Sequence, residues 1–162
     1  MAKNRGKDFE GYIEEALERM PRDIVGYQRL YDVFFGYKGI SNPCDFIVFK
    51  YPNEFYLECK STNLNTLNFH EIPQYERLID VNVVNGRLCG VFIWYVKHKK
   101  TFWVSIEKLK ELKENGAKSV HINDLLGKKD KNVYELEATY KRINGVYNLE
   151  SFFEYIQEQV NN

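Results

Sequence analysis

Two short runs of residues, separated by a turn, constrain the fold of this chain more than any other sequence feature. The runs are residues 44–50 and 54–60, and Tyr51-Pro52-Asn53 between them has the composition of a tight turn. This pattern predicts a β-hairpin. Side chains two apart on a strand share a face, so one face of the hairpin is apolar and belongs in the core. Its members are Phe46, Val48, Phe55, Leu57 and Cys59.

The other face of the predicted hairpin collects charged side chains. A turn centred on Pro52-Asn53 predicts that Asp45 stands opposite Lys60, with Glu58 on the same face as a diagonal neighbour of Asp45. Two carboxylates at that spacing suit Mg²⁺, which takes oxygen ligands and keeps several waters. A lysine beside them can orient a water or offset charge on a phosphoryl group. A surface salt-bridge trio, contributing about 0–1 kcal/mol, is the alternative that these residues leave open.

The spacing Glu-x-Lys is by itself a weak signal, because this chain contains it twice. Glu58-Cys59-Lys60 belongs to the predicted hairpin and has Asp45 as an acidic neighbour. Glu111-Leu112-Lys113 falls in a predicted surface helix with no acidic partner in view, and we interpret it as a solvated helix face. The acidic neighbour Asp45 is therefore the feature that makes the first copy a candidate site.

An acidic residue of the first predicted helix extends the hairpin site. Apolar residues recur at helical spacing from about residue 7 to residue 19 and predict a helix there. Glu10 lies at the edge of the apolar stripe, from where its carboxylate could reach the hairpin. A flanking charge in solvent is an equally good interpretation, and the helix alone leaves both open.

The remaining pattern predicts an α/β fold with a mixed central sheet flanked by helices. An almost continuous apolar run at residues 88–96 is typical of a buried central strand, and residues 101–104 pair with it. Residues 61–68 are predicted as a polar loop. Without a repeat or a linker, residues 1–162 are expected to form one domain. Further strands are predicted within 27–37, at 119–122 and at 133–138, and further helices at 71–86, at 105–116 and from about 148.

Charge and cysteine content restrict the classes of function. The 23 basic and 23 acidic residues cancel, which counts mildly against DNA binding, although charge can be segregated by face. Lys97, Lys99 and Lys100 form a basic cluster that is a candidate for phosphate contact, and a solvated loop explains it equally well. Three cysteines in apolar stretches indicate reduced, packed thiols. With no apolar run long enough to span a membrane and no secretion signal, we expect a cytoplasmic protein that does not bind membranes.

At these positions the sequence resembles the PD-(D/E)xK nuclease superfamily, whose restriction-endonuclease-like core has the order α-β-β-β-α-β. Within it, the chain most resembles the RecU-type Holliday-junction resolvases of low-GC bacteria and their phages. The similarity spans nearly the whole chain in short pieces. These are Asn4-Arg5-Gly6 before Glu10, Asp45 with Glu58-Cys59-Lys60, Asn68-Phe69-His70 followed by Gln74, and Phe102-Trp103-Val104 leading to Gly116-Ala117-Lys118-Ser119.

The resemblance implies a homodimer that cuts four-way DNA junctions symmetrically with Mg²⁺, for which Mn²⁺ can substitute. It makes Asp45 and Glu58 metal ligands, adds Glu10 as a further acid of the metal site, and makes Lys60 the water-positioning base. Branched DNA is then the partner, and the expected setting is the nucleoid of a bacterium or of a phage-infected host.

The resemblance also assigns two more residues and shows two departures. Gln74 matches a polar residue that lines the site, and Arg5 matches a basic position that touches phosphate. RecU proteins carry a long projecting segment between their first two strands, for which residues 37–43 are too short. Cys44 precedes Asp45, so the Pro-Asp dipeptide is absent. A nuclease for plain or flapped duplex therefore stays open, as does a non-catalytic DNA-binding module on the same scaffold.

Overall fold

The chain folds around a mixed β-sheet that lies between helices. The structure, a computed structural model, describes residues 4–31 and 42–162. The helices are α1 (Arg5–Glu18), α2 (Tyr75–Val81), α3 (Ile106–Glu114) and α4 (Glu150–Asn161). The strands are β1 (Gly26–Arg29), β2 (Phe46–Lys50), β3 (Asn53–Thr62), β4 (Thr66–Asn68), β5 (Arg87–Tyr95), β6 (Lys100–Ser105), β7 (Ser119–His121), β8 (Val133–Glu135), β9 (Glu137–Lys141) and β10 (Asn144–Asn148).

Six of these strands form the central sheet, in the order β1-β2-β3-β5-β6-β8. β3 and β5 run parallel, from Glu54 opposite Arg87 to Thr62 opposite Tyr95, and the other neighbours are antiparallel. A parallel pair requires a crossover connection, which β4 and α2 supply. Apart from the short β4, which lies outside the central sheet, the order α1, β1, β2, β3, α2, β5 confirms the predicted fold class, a mixed sheet flanked by helices with an α-β-β-β-α-β core.

The sheet separates two apolar clusters. Phe9 of α1 and Phe152 of α4 belong to the cluster on one face, and Leu78 of α2 and Leu109 of α3 to the cluster on the other. The apolar hairpin residues predicted for the core all join the α1 side, namely Phe46, Val48, Phe55, Leu57 and Cys59. Tyr56 of β3 packs in the second cluster. Alternate residues of β3 therefore face opposite clusters, as the period of two predicts.

The second predicted helix is shorter than the sequence pattern indicates. Instead of covering residues 71–86, α2 is confined to Tyr75–Val81, and Phe69–Glu71 forms a separate 3-10 turn. Asn82 caps the C-terminus of α2, and its side-chain oxygen accepts a hydrogen bond from the Cys89 N–H at 3.3 Å. This side chain ties the helix end to the start of β5, and that contact competes with continuation of the helix.

Short strands occur where the sequence pattern predicts a loop or a single strand. Residues 61–68, predicted as a polar loop, contain β4, which pairs with β7. The strand predicted at 133–138 divides into β8 and β9, and β9 forms an antiparallel hairpin with β10. The strand predicted at 119–122 is confirmed as β7. The others span only three to five residues, which hold too few alternations to predict their bounds reliably.

Several smaller predictions can also be compared with the structure. β1 covers the start of the strand region predicted at 27–37. Residues 32–37 of that region, like most of the segment 37–43, lie outside the described residues. The cysteines at 44, 59 and 89 are free and buried, which confirms the predicted packed thiols. Among the helices of the described residues, none is both long and apolar enough to cross a membrane.

Candidate active site

Asp45 stands immediately before β2, where backbone hydrogen bonds hold it on both sides. Its N–H donates to the Leu57 carbonyl at 3.1 Å, and its carbonyl accepts from the Leu30 N–H at 2.7 Å. The carboxylate oxygen Oδ2 accepts a hydrogen bond from the Cys59 N–H at 2.8 Å. Because a charged acceptor makes a strong bond with a backbone donor, the Asp45 carboxylate is held in one orientation against β3.

The register of the hairpin differs by two residues from the predicted one. Lys50 pairs with Asn53, so the turn lies one residue earlier than predicted. The prediction that Asp45 stands opposite Lys60 is therefore wrong, because this register, continued past the start of β2, sets Asp45 opposite Glu58. A shift of two residues keeps every side chain on its predicted face. It also brings the two carboxylates directly across from each other instead of diagonally.

Asn53 provides the physical reason for this register. The residue is 3% exposed and begins β3 instead of lying in the turn. Its Nδ2 donates to the Gly86 carbonyl at 3.2 Å, and its Oδ1 accepts from Gln157 at 3.1 Å and from Asn161 at 2.9 Å. Moving this amide into an exposed turn would break those bonds and leave buried partners unsatisfied.

Glu58 is 2% exposed, and within the described residues only one of its carboxylate oxygens has a bonding partner. Oε1 lies 2.9 Å from Nζ of Lys60, whereas Oε2 is buried with no hydrogen-bond partner among residues 4–31 and 42–162. Burial, followed by the charge of Asp45, raises the pKa of Glu58 to about 8, although Lys60 acts to lower it. The charged form of this acid is therefore disfavoured until a further positive partner arrives.

Lys60 stays charged although it is largely enclosed. Burial acts to lower the pKa of its ammonium group, but the Glu58 carboxylate, helped by Asp45, outweighs burial and the pKa is raised. The Lys60 side chain is still 23% exposed. Its Nζ therefore joins the buried acid to solvent, and it can donate to a water or to a phosphate oxygen that approaches from outside.

The acid pair has the chemistry of a divalent-cation site. A cation shared by Asp45 and Glu58 would supply the missing partner of Oε2 and offset the repulsion between the two carboxylates. Within the described ranges, no three His, Cys, Asp or Glu side chains gather closely enough to form a metal site by themselves. Mg²⁺ is commonly held by one or two carboxylates with waters and phosphate oxygens completing its shell, so the pair fits this ion.

Glu10 lies within electrostatic range of the acid pair but bonds elsewhere. Its Oε2 accepts a hydrogen bond from Arg29 Nη2 at 3.0 Å, and the same guanidinium also bonds Glu14. The helix that carries Glu10, α1, packs on one face of the sheet. Tyr56, which shares a face of β3 with Glu58, packs on the other face. Glu10 is the weakest named contributor to the raised pKa of Glu58. Its place in a metal site stays a prediction.

Gln74 and Arg5 both bury a polar atom that has no hydrogen-bond partner within the described part of the chain. For Gln74, which caps the N-terminus of α2, the atom is Oε1. For Arg5, the first residue of α1, it is Nη1. These atoms have capacity for a water or a ligand. The predicted roles of Gln74 in lining the site and of Arg5 in phosphate contact stay predictions.

The predicted basic cluster forms the turn between β5 and β6. Because β3 and β5 are parallel, this turn lies at the end of the sheet towards which Glu58 and Lys60 lead. Lys97 and Lys99 are exposed there. Lys100 instead forms an ion pair with Glu135, with Nζ 2.7 Å from Oε1. The cluster thus presents two solvent-facing ammonium groups, and the charge of the third is offset.

Arg29, Asn53 and Asn65 also shape this region, although no local sequence pattern marks them as site residues. Arg29 holds Glu10, and Asn53 sets the hairpin register. Asn65 Oδ1 lies 2.6 Å from His98 Nε2 and joins the β3–β4 connection to the basic turn. All of these contacts link residues that are distant along the chain, so no local pattern signals them.

Comparison with known proteins yields a distant structural likeness and no sequence match. No protein-family model matches the chain, and neither does any curated protein sequence. Among solved structures, the chain is similar to Hjc, a Holliday junction resolvase from the archaeal hyperthermophile Archaeoglobus fulgidus, determined at 1.6 Å resolution. The identity is 14%, the match covers 90% of this chain and 98% of that chain, and the TM-score is 0.46. A likeness this distant assigns no activity to this chain.

Proposed function

We propose that this chain is a Mg²⁺-dependent DNA endonuclease that uses Asp45, Glu58 and Lys60 to hydrolyse a phosphodiester in branched DNA, with the four-way junction as substrate. One observation carries this proposal: Oε2 of Glu58 is buried without a partner in the described residues, beside a second carboxylate and an ammonium group. A structural ion pair gains little from such burial, because desolvating the carboxylate costs more than one partly exposed lysine offsets. A metal ion would supply the partner that Oε2 lacks among the described residues, and a phosphate would bind to that metal and to Lys60.

Asp45 and Glu58 would hold the metal through their carboxylate oxygens. When bound, Mg²⁺ polarises a phosphoryl oxygen and lowers the pKa of water. The Cys59 N–H, 2.8 Å from Asp45 Oδ2, keeps that carboxylate oriented, so little reorganisation is needed on binding. Mn²⁺ accepts the same oxygen ligands, and we expect it to substitute.

Lys60 supplies positive charge where the reaction develops negative charge. Because the pKa of Lys60 is raised, its ammonium group is charged at neutral pH. We therefore assign it the orientation of water and the offset of charge, in place of the proton removal implied by the resemblance. In the reaction, a water oxygen forms a bond to phosphorus while the P–O bond in line with it breaks. Charge on the phosphoryl oxygens rises at that moment, and an ammonium donor stabilises it.

Local positive charge supports DNA as the substrate in spite of the zero net charge. Lys97 and Lys99 are exposed at the end of the sheet towards which Lys60 leads. Ammonium groups at such a place bind phosphates without regard to base sequence. Symmetric cutting of a four-way junction requires two active sites, so the proposal includes a homodimer with two-fold symmetry.

Cleavage of labelled synthetic DNA tests the proposal. A four-way junction, a flap and a plain duplex of shared sequence are incubated with Mg²⁺, with Mn²⁺ and with EDTA. Asp45→Asn removes one carboxylate charge at nearly constant shape, and Asp80→Asn makes the same change at an exposed position of α2. We expect paired nicks in the junction from the wild type and from Asp80→Asn when metal is present. Asp45→Asn should bind the junction and leave it uncut.

Other outcomes would identify the alternatives. Equal cutting of all three DNAs would indicate a general or flap nuclease of the same class. Junction binding without cleavage in either metal would indicate a non-catalytic DNA-binding module. A monomer at the working concentration, measured by light scattering after size exclusion, would contradict the paired cuts. Loss of folding in Asp45→Asn, seen by circular dichroism, would favour a structural role for the charged trio.

A further inference from the structure

The loop between β3 and β4 presents one apolar side chain to solvent near the proposed active site. The loop consists of residues 63–65, and Leu64 at its centre is 63% exposed. Asn63 and Asn65 on either side are exposed too. A lone exposed leucine is ordinary on a protein surface. The hydrogen bonds that hold the loop and the residues around Leu64 therefore decide whether this side chain has a function.

Hydrogen bonds at both ends hold this loop in one shape. The Thr62 hydroxyl accepts from the Leu64 N–H at 3.1 Å and donates to a β4 carbonyl at 2.9 Å. The Asn65 carbonyl accepts from the Ile122 N–H at 2.8 Å, and Asn65 Oδ1 lies 2.6 Å from His98 Nε2. The exposure of Leu64 is thus a property of an ordered loop, and the side chain is presented without rearrangement.

The loop lies at the same end and on the same face of the sheet as Lys60 and Glu58. Leu64 follows Lys60 by four residues, so their Cα atoms are at most about 14 Å apart. Leu67 of β4 packs in the cluster that contains Tyr56, whose side chain shares a face of β3 with Glu58. A DNA strand that lies over the acid pair therefore passes close to Leu64.

Basic side chains flank the loop. The contact between Asn65 and His98 joins it to the β5–β6 turn, where Lys97 and Lys99 are exposed. Proteins that kink DNA combine these two elements: cationic groups hold the phosphates, and an apolar side chain, leucine among them, separates two stacked bases. An apolar tip on a loop that contacts the turn with two exposed lysines meets that description.

We infer that Leu64 is a wedge that inserts between bases beside the scissile phosphate and makes the site selective for DNA whose stacking is already interrupted. This inference deepens the proposed function and rests on it. Successive nucleotides of one strand are about 3.4 Å apart, so a separation of at most about 14 Å places the wedge within roughly four nucleotides of the cut. A continuous duplex must be unstacked before Leu64 can enter. At a branch point less stacking has to be broken, so insertion costs less there.

Fluorescence of 2-aminopurine, which rises when the base leaves the stack, tests insertion without cleavage. The probe is placed at successive positions beside the branch of a four-way junction, and protein is added to saturation without divalent metal. Leu64→Ala should give a rise at least about three-fold smaller than the wild type gives. Val83→Ala is the matched control, because Val83 is 80% exposed and precedes β5 at the opposite end of the sheet. Equal signals from Leu64→Ala and the wild type would overturn the wedge.

The ratio of the cleavage rates on two junctions supplies a second readout, which a merely structural role of Leu64 would not change. Leu64→Ala should cut the intact junction on the order of ten-fold more slowly than the wild type. A junction with two unpaired bases at the branch should bring the rate of the variant close to the wild-type rate. Leu64→Phe, which keeps a large apolar tip, should retain both activities. A loss of rate that is equal on the two junctions would overturn the wedge.

Failure of the wedge and failure of the nuclease are distinguishable. A Leu64-dependent fluorescence rise in a protein that cuts no DNA in any metal would support insertion and overturn the proposed nuclease. Junction cleavage by a wild type that Leu64→Ala matches in both assays would overturn the wedge and support the nuclease. A wild type that binds none of the DNAs would overturn both.

Discussion

Two segments of this chain share the spacing Glu-x-Lys and differ in the element that carries them. Glu58-Cys59-Lys60 lies in β3, and Glu111-Leu112-Lys113 lies in α3. Residues two apart share a face on a strand, whereas on a helix they are rotated about 200° from each other. Lys60 Nζ accordingly lies 2.9 Å from Glu58 Oε1. The glutamate and the lysine of the motif therefore contact each other in β3, whereas in α3 they point to different sides of the helix.

The surroundings of the two glutamates differ as much as their elements. The Glu111 side chain is 55% exposed, and its partner is Lys108 at 3.0 Å, one helical turn away. Lys113 lies over the Tyr75 ring at 4.4 Å from its centroid. Glu58 is buried beside a second acid, which raises its pKa to about 8. A short motif thus forms a candidate site only where its secondary structure aligns the two side chains and where burial beside another acid disfavours the charged glutamate.

The largest expected difference between the two copies is in cleavage. Lys60→Ala should lower the single-turnover rate on a four-way junction by on the order of 10²–10³, because loss of one charge-stabilising donor commonly has that effect. Lys113→Ala, the same change in the second copy, should leave the rate unchanged. Rates are measured with saturating Mg²⁺ on variants whose thermal melting shows that they are folded. Equal losses in both variants would remove the distinction.

The second expected difference between Glu58 and Glu111 is in the pH dependence of stability. The folded-state pKa of Glu58, about 8, lies above its ordinary value of 4.5, so between these pH values the folded protein binds a proton that the unfolded chain does not. Wild-type stability without metal must then fall as the pH rises from 4.5 to 8. Glu58→Gln escapes this loss, which is at most about 5 kcal/mol for the full shift, or up to roughly 10–20 °C in Tm.

Melting curves of metal-free protein from pH 4.5 to pH 9 measure this difference. The Tm of Glu58→Gln relative to the wild type should rise through the window and level off above about pH 8. Glu111→Gln, the matched control, should show a difference that does not change with pH in that window. A flat difference for Glu58→Gln would mean that Glu58 is charged in the folded protein at neutral pH.

The stabilisation by bound Mg²⁺ should differ between variants of the two Glu-x-Lys copies, and by a smaller amount. If the dissociation constant is about 1 mM, then 10 mM Mg²⁺ stabilises the wild type by about 1.4 kcal/mol, or roughly 3–6 °C in Tm. The shift should persist in Glu111→Gln and disappear in Asp45→Asn and Glu58→Gln. Thermal melting at pH 8 with Mg²⁺ and with EDTA provides the measurement. The same shift in Asp45→Asn would place the metal elsewhere.

The smallest expected effect is the ion pair of the exposed copy. Glu111→Gln breaks the contact with Lys108, and such pairs on a helix surface contribute about 0.2–0.5 kcal/mol. The Tm should therefore change by no more than roughly 2 °C, and high salt should remove the change. A larger loss that survives in high salt would show that this copy too has a structural role.

Local patterns predicted the elements that long, regular segments form. The alternation of Phe55, Leu57 and Cys59 placed their side chains in the α1 cluster, where they lie. The helix predicted at residues 105–116 is observed as α3, and Ser105 is its N-cap, since its hydroxyl accepts from the Lys108 N–H at 3.1 Å. Such signals depend on neighbours within a few residues, so they need no knowledge of the rest of the chain.

Features that depend on distant contacts escaped prediction. β4 exists because β7 pairs with it, and α2 ends where Asn82 bonds to Cys89. Arg29 of β1 holds Glu10 of α1, and neither residue signals the other in the sequence. A residue with an ordinary local context can therefore decide the state of a site residue.

The sequence by itself determined which side chains could meet, because the period of a strand assigns each residue to a face whatever the rest of the molecule does. Asp45, Glu58 and Lys60 were placed on one face by that rule. Only the tertiary structure decided that Asp45 stands across from Glu58, because α4 buries the amide of Asn53 and so sets the register. Packing on both faces of the sheet also decided that Glu58 is removed from water. Burial turns two neighbouring acids into a site that favours a cation, because desolvation depends on the whole fold and not on the spacing of residues.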